Sequence, residues 1–235
     1  MGYELDWGLP FRQPYIGWLI DGLLLTALLT VLSSVGSMVL GVLSAIGRLA
    51  KQRWIRAIAT LYIELFRNIP TLFWIFFFFF VTPTLLRDQF GISFGAYSGQ
   101  LAAAVSALTL SNSAHIAEIV RSGIHSIPNT QQKAGLSLGL HPWRIWFTIL
   151  IPQAFHISLP ALGPRMIHNF HNTSLAMAIS VQEVTWQTQQ IESITFRGFE
   201  VVTVVTLIFI VISLLLSLGF RYLEVRNMRK KAALL

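Results

Sequence analysis

From Gly22 to Gly47 the chain reads GLLLTALLTVLSSVGSMVLGVLSAIG, without one charged residue. The run from Val201 to Phe220 is equally uncharged and more apolar. About 20 such residues in a helix cross the hydrocarbon core of a bilayer. In lipid every backbone polar group must be bonded within the protein, which leaves helices or closed barrels. Continuous apolar runs select helices, because barrel strands alternate. The chain is 54% hydrophobic and 11% charged, against roughly 25% charged in soluble domains. The expected fold is therefore all-α, a polytopic membrane helical bundle. With no cysteine, no disulfide framework or thiolate metal site is expected.

The formal charge of +7 is explained by where the cations lie. Arg48, Lys51, Arg53 and Arg56 follow the first run, and Arg221, Arg226, Arg229, Lys230 and Lys231 follow the last. That is the pattern of cytoplasmic flanks, not of a nucleic-acid surface. MGYELDWGLP has no basic segment leading an apolar one, so a cleaved signal peptide is not expected. Five crossings satisfy every basic cluster, with the N-terminus outside and the C-terminus in the cytoplasm. They run from about Tyr15 to Gly47, Ala57 to Pro83, Gln100 to Val120, Phe147 to Val181 and Val201 to Phe220. The expected organisation is an outer lead at 1–14, a transmembrane domain at 15–224 and a cytoplasmic tail at 225–235.

Within the second crossing Glu64 and Arg67 lie one turn apart. They read as an intrahelical or interhelical pair near the inner end, with a gate as the sharper alternative. Pro70 is expected to kink the helix. Leu85 to Gly99 reads as a turn-rich outer connection carrying Arg87 and Asp88. The third crossing, rich in Ala and Ser, holds Asn112 and His115 and should pack inside. The fourth, with Pro152, Pro160 and Pro164, reads as a broken helix whose deeper part starts near Ala161. Gln182 to Phe199 is polar enough for an external loop or a surface helix.

Arg165, His168, His171 and Asn172 share one side of a helix, followed by Thr173 and Ser174. One reading is hydrogen bonding between helices; the other is the polar wall of a substrate cavity. Between the apolar runs, Gln131 to Pro152 (QQKAGLSLGLHPWRIWFTILIP) holds a short helix. Thr130 or Asn129 can cap it, Gly139 can stop it, and Pro142 forbids continuation. A helix that short is marginal alone and needs something to dock on.

These residues carry a resemblance. The loop within 122–152 resembles the cytoplasmic EAA loop of bacterial ABC importer permeases through Lys133, Ala134, Gly135, Gly139, Ile149, Ile151 and Pro152. Lys133 stands where the family has Glu, Gly135 where it has the second Ala, and Ile151 where it has Leu. YIELFRNIP, SAHIAEIVRSGIHSIP and HNTSLAMAIS are similar to segments of polar amino-acid permeases. At Asn172 that family often has Asp.

The resemblance implies a type I importer permease subunit. Gln132, Lys133, Ala134, Gly135, Gly139, Ile149 and Pro152 would couple it to an ATPase. It implies a second permease subunit, two P-loop ATPases using ATP and magnesium, and an extracytoplasmic binding protein at the bacterial inner membrane. Donors at Arg165, His168, His171 and Asn172 suit a carboxylate or amide substrate, with glutamate, aspartate or glutamine expected.

No HExxH, GxSxG or GxxxxGK[ST] pattern occurs. The chain is therefore not expected to be an enzyme, nor to bind a metal or cofactor itself. The competing classes are an ion-gradient-driven carrier and a multi-span membrane enzyme. Carriers usually show internal repeats and more spans, which this chain does not.

Overall fold

The computed structural model describes residues 4–91 and 95–232, less the side chains at 86, 87, 90, 96 and 228–232. The expected outer charge Arg87 and inner cluster Arg229, Lys230 and Lys231 thus lie outside the described side chains. The described residues form helices and connections, with no strand among them.

Among the described residues ten α-helices follow in order. They are α1 (Tyr15–Arg48), α2 (Arg53–Asn68), α3 (Thr71–Phe76), α4 (Thr82–Phe90), α5 (Ala96–His125), α6 (Asn129–Ser137), α7 (Pro142–Ile145), α8 (Ile151–Asn172), α9 (Val184–Thr195) and α10 (Gly198–Ala232). Single π-helical turns join α3 to α4 and α7 to α8, and a 3-10 segment, Thr173–Ile179, follows α8. Among the described residues three helical stretches are long and apolar enough to cross a membrane: Tyr15–Arg48, Pro142–Ile179 and Gly198–Asn227. The helices on either side of Pro70 make a fourth if taken as one broken span.

The chain divides into two compact units. One holds Met1–Val35, Ile69–Thr109 and His168–Leu215; the other holds Gly36–Asn68, Leu110–Ile167 and Leu216–Leu235.

The first unit is centred on Leu19, Val184, Ile191, Val201 and Val205, with Trp18, Leu23 and Phe209 packed around them. Gly22 lets α1 meet the start of α9. A Cβ there would sit 2.8 Å from the Val184 Cα. The lead is tied to the start of α10. The Asp6 amide donates to Glu200 at 3.0 Å, and Arg197 donates to the Glu4 carbonyl at 2.6 Å.

The second unit is built on Ala45, Ile63, Ile116, Ala117, Val120, Ile145, Leu150 and Leu162. Small residues set its helix spacing. Gly41 of α1 lies against Ile116 of α5, and Gly123 of α5 against Ser158 and the Ala154 carbonyl of α8. Close approach of this kind is what holds helices together in lipid, where apolar side chains gain little by leaving the solvent.

Three expectations are corrected. Pro70 does more than kink a helix: α2 ends at Asn68, and Pro70 is the residue capping α3. The proline ring has no N–H, which costs nothing at the cap of a new helix, where no intrahelical acceptor is available. Conversely, Pro160 and Pro164 do not break α8, which runs unbroken from Ile151 to Asn172. Each proline removes one backbone bond, and the rest of the ladder survives. The irregular turns fall at its ends instead. The connection near Gly91 is shorter than the turn-rich stretch expected, because α4 continues to Phe90 and α5 starts at Ala96. Of that connection, residues 92–94 lie outside the described residues. Of the two readings offered for 182–199, loop or helix, the helix holds: α9 spans Val184–Thr195 and buries Val184 and Ile191.

Candidate functional site: a polar helix face and a docking helix

Arg165 belongs to the second unit, and His168, His171, Asn172, Thr173 and Ser174 to the first. In the second unit the half-buried Arg165 donates through Nε to Asn112 Oδ1 at 2.6 Å. Asn112, buried on α5, donates in turn to the Ser37 hydroxyl of α1 at 2.7 Å. Asn112, noted in the sequence only as a polar residue on a packed helix, is thus the partner of the candidate cation.

In the first unit the exposed His171 shares a hydrogen bond with Ser213 of α10 at 2.8 Å, and Asn172 with His168 at 3.2 Å. The Ser174 hydroxyl donates to the His171 carbonyl. Thr173 is fully buried, its hydroxyl donating to the Phe170 carbonyl. Thr173 therefore faces protein. Sequence reasoning missed Asn169. It is buried, and its amide donates to Ser33 and Ser34 of α1 at 2.8 and 3.1 Å, while Oδ1 has no partner. The signal was there: Asn169 stands four residues from Arg165, on the same helix face.

Glu64 pairs with Arg48 of α1 at 3.2 Å. The Glu64–Arg67 pair of the intrahelical reading is not among the described ion pairs; an interhelical one is. Arg48 also binds Glu118, whose second oxygen accepts from Arg121 Nε at 3.1 Å and Nη2 at 2.9 Å. One carboxylate on α5 thus ties together two guanidinium groups at this end of the unit.

α6 begins at Asn129, capped by Pro128 with no side-chain bond, so neither Thr130 nor Asn129 serves as the cap. Pro128 ends the preceding segment and presets the turn into the helix. The stop is as expected: Gly139 has φ +73, and the Leu140 amide donates to the Gly135 carbonyl at 3.1 Å. Pro142 opens α7, with His141 accepting from the Trp143 amide. Gly135 is buried against Ile145 of α7, and Gln153 of α8 donates to Gln131 at 2.7 Å. Ala134 and Lys133 are exposed, Gln132 half-buried, and Ile149 is packed against the core. Pro152 occupies the first turn of α8.

Residues 37–229 match the family of binding-protein-dependent transport system inner membrane components. The chain belongs to this family. Relatives cover nearly its whole length. The glutamate/aspartate import permease protein GltK of Escherichia coli O6:H1 is 32% identical over 96% of this chain and 99% of its own. The glutamine transport system permease protein GlnP of Escherichia coli K12 is 32% identical over 95% of this chain and 98% of its own. An amino acid ABC transporter solved with histidines has 28% identity and a TM-score of 0.79, covering 95% of this chain and all of that one. The MetNI methionine ABC transporter shares the fold, with a TM-score of 0.72 at 20% identity. This chain is thus a permease subunit of an ABC importer, all-helical and membrane-embedded, and not itself an enzyme. The carrier and membrane-enzyme classes fall away.

Proposed function

We propose that the chain imports an acidic or amide amino acid, glutamate or aspartate first and glutamine next. The observation that carries this reading is similarity over nearly the full length, at 32% identity, to permeases named for those substrates. The polar face of α8 is compatible with it. Arg165, His168 and Asn172 are donors toward a carboxylate or amide, and no acid stands near them in sequence to favour a cationic substrate.

In this reading the chain pairs with a second permease, identical or sister. GltJ, a glutamate/aspartate import permease protein of Escherichia coli K12, is 26% identical, so sister subunits are a natural arrangement. Two P-loop ATPases carry ATP and magnesium, and α6 with residues 122–152 passes their movement to the spans. A binding protein delivers substrate from outside. The subunit has five crossings, with residues 1–14 outside the bilayer and 225–235 in the cytoplasm. Of the site residues, Arg165, His168, His171, Asn172 and Ser174 remain the candidates for contact with substrate. Thr173 supports them from within the protein, and Glu64 with Arg67 belongs to the structure of the inner end.

The test is competition for uptake by the complete complex in proteoliposomes. Unlabelled glutamate, aspartate and glutamine should compete with labelled glutamate, while arginine and lysine should not. Stronger competition by arginine or lysine would falsify the substrate assignment.

A further inference from the structure

Between Glu118 and Glu183 the chain has no acidic residue, although Arg121, Lys133, Arg144 and Arg165 fall in that stretch. The whole of α6 and α7 lies inside it. α6 is seated on its own unit through Gly135 against Ile145 and through Gln131 with Gln153. A helix turns about 100° per residue, which places Lys133 roughly 160° around the axis from Gly135. Lys133 therefore points away from the chain, and it is exposed. Thr130 and Ser137 share that face, and the Ser137 hydroxyl is turned back onto the Lys133 carbonyl at 3.0 Å. Among the described residues Lys133 has no ion pair. Leu136, one turn on from Lys133, is 48% exposed, and elsewhere on the loop Leu138 is 80% and Trp143 62% exposed. The Trp143 ring lies 4.3 Å from that of Phe147, and Arg144 is exposed beside them.

We infer that the ATPase surface receiving α6 is acidic, with a carboxylate facing Lys133. This rests on the reading that α6 docks on an ATPase, and adds the chemistry of the socket. A partner that covers Leu136 strips water from the ammonium one turn away, and a desolvated charge is tolerated only when it is paired. This chain supplies no acid on that face, so the partner must. A membrane surface is the other anionic candidate. It fits less well, because Lys133, Thr130 and Ser137 share that face with Leu136 as its one exposed leucine, whereas helices that lie in a bilayer interface put a broad apolar face into the lipid. The pairing would also select partners: an ATPase with a cation at that point would be repelled.

The experiment uses the complete transporter in nanodiscs, purified through a tag on this chain. Wild type and Lys133→Arg, Lys133→Gln and Lys133→Glu variants are washed at rising salt, and the ATPase retained is measured. The contact predicts retention by wild type and the Arg variant. It predicts weaker retention with Gln, and at least a tenfold loss of apparent affinity with Glu. A zero-length carbodiimide crosslink, in which an activated carboxylate and the lysine amine condense to an amide, should join Lys133 to an Asp or Glu of the ATPase. Full retention by the Glu variant, with no crosslink at Lys133, overturns the inference. So does a Glu variant whose defect follows the anionic lipid content of the nanodisc while ATPase retention is unchanged. If the wild type retains no ATPase at any salt, the docking reading itself fails, whatever stands at position 133.

Discussion

Arg165 donates a 2.6 Å hydrogen bond from its guanidinium Nε to the Asn112 amide oxygen, linking α8 to α5. Because Asn112 also donates to Ser37 of α1, it holds three helices of one unit in register. Replacing it with leucine leaves the Arg165 Nε–H and the Ser37 hydroxyl without it. Bonds to charged groups contribute about 1.5–3 kcal/mol. Asn112→Leu should lower the thermal midpoint in detergent by that equivalent, and Asn112→Asp by less, since its oxygen still accepts. Equal midpoints for Asn112→Leu and wild type would remove Asn112 from the packing scheme.

Glu118 is the hub of the ion pairs at the other end of the same unit. Its two oxygens serve Arg48 and Arg121 separately. Glu118→Gln should destabilise by about 2 kcal/mol, because Arg121 loses its described ion pair and Arg48 keeps only the half-exposed Glu64. Glu64→Gln should cost less than about 1 kcal/mol, since the Glu64 side chain is 46% exposed and its pairing is screened. Denaturant or thermal titration of both variants decides the order. A larger loss at Glu64 would reverse the assignment.

At Gly139 the backbone sits at φ +73, with nothing within 4 Å of the point a Cβ would occupy. A side chain there meets no neighbour, so the whole penalty is conformational, about 1–2 kcal/mol for a left-handed L-residue. Gly139→Val should shift the end of α6 while leaving the spans folded. Uptake and the stimulation of ATPase by loaded binding protein should fall together. Normal uptake in a stably folded Gly139→Val protein would mean that the turn is not part of coupling.

Glu183 lies in the segment between the spans ending at Ile179 and starting at Gly198, with no solvent exposure. Its carboxyl caps α9, accepting from the Trp186 amide at 2.9 Å and the Thr185 amide at 3.0 Å. Burial pushes its pKa up to about 7, outweighing those bonds. A folded-state value above the unfolded one means that the native chain holds the extra proton between about pH 4.5 and 7. The contribution of Glu183 is therefore most favourable at the acid end of that window and declines as pH rises, by about 3 kcal/mol in total. Unfolding midpoints measured from pH 4.5 to 7.5 should show this fall for wild type. Glu183→Gln, which does not titrate, should show a flatter profile.

The apolar runs make the long helices readable because length and lack of charge suffice to specify a span. Gly139 is legible for a local reason: a stop followed by Pro142 leaves the chain few conformations. The prolines mislead in both directions. A proline's effect depends on whether it stands at the cap of a helix, as Pro70 does before α3, or within an established ladder, as Pro160 does in α8. Spacing alone does not distinguish the two. One-turn spacing offers Arg67 to Glu64, but α1 brings Arg48 to it. Tertiary neighbours compete with local ones, and a charge pattern along one helix is blind to them. On the candidate site, periodicity places Arg165, His168 and Asn172 on a common side but carries no account of Asn112, Ser213 or Ser33. These stand on other helices, and they decide where the donors point.

Gly22 brings α1 to within a methyl's width of the backbone at Val184. Chains that near one another have no room for a ratchet of one residue past the next, since the leucines on the C-terminal side of Gly22 would have to pass through main-chain atoms. Thr26 closes the same junction, accepting from the Val184 amide at 3.2 Å. During a transport cycle these two stretches must travel as one piece, and any flexure has to be sought at joints farther along the polypeptide.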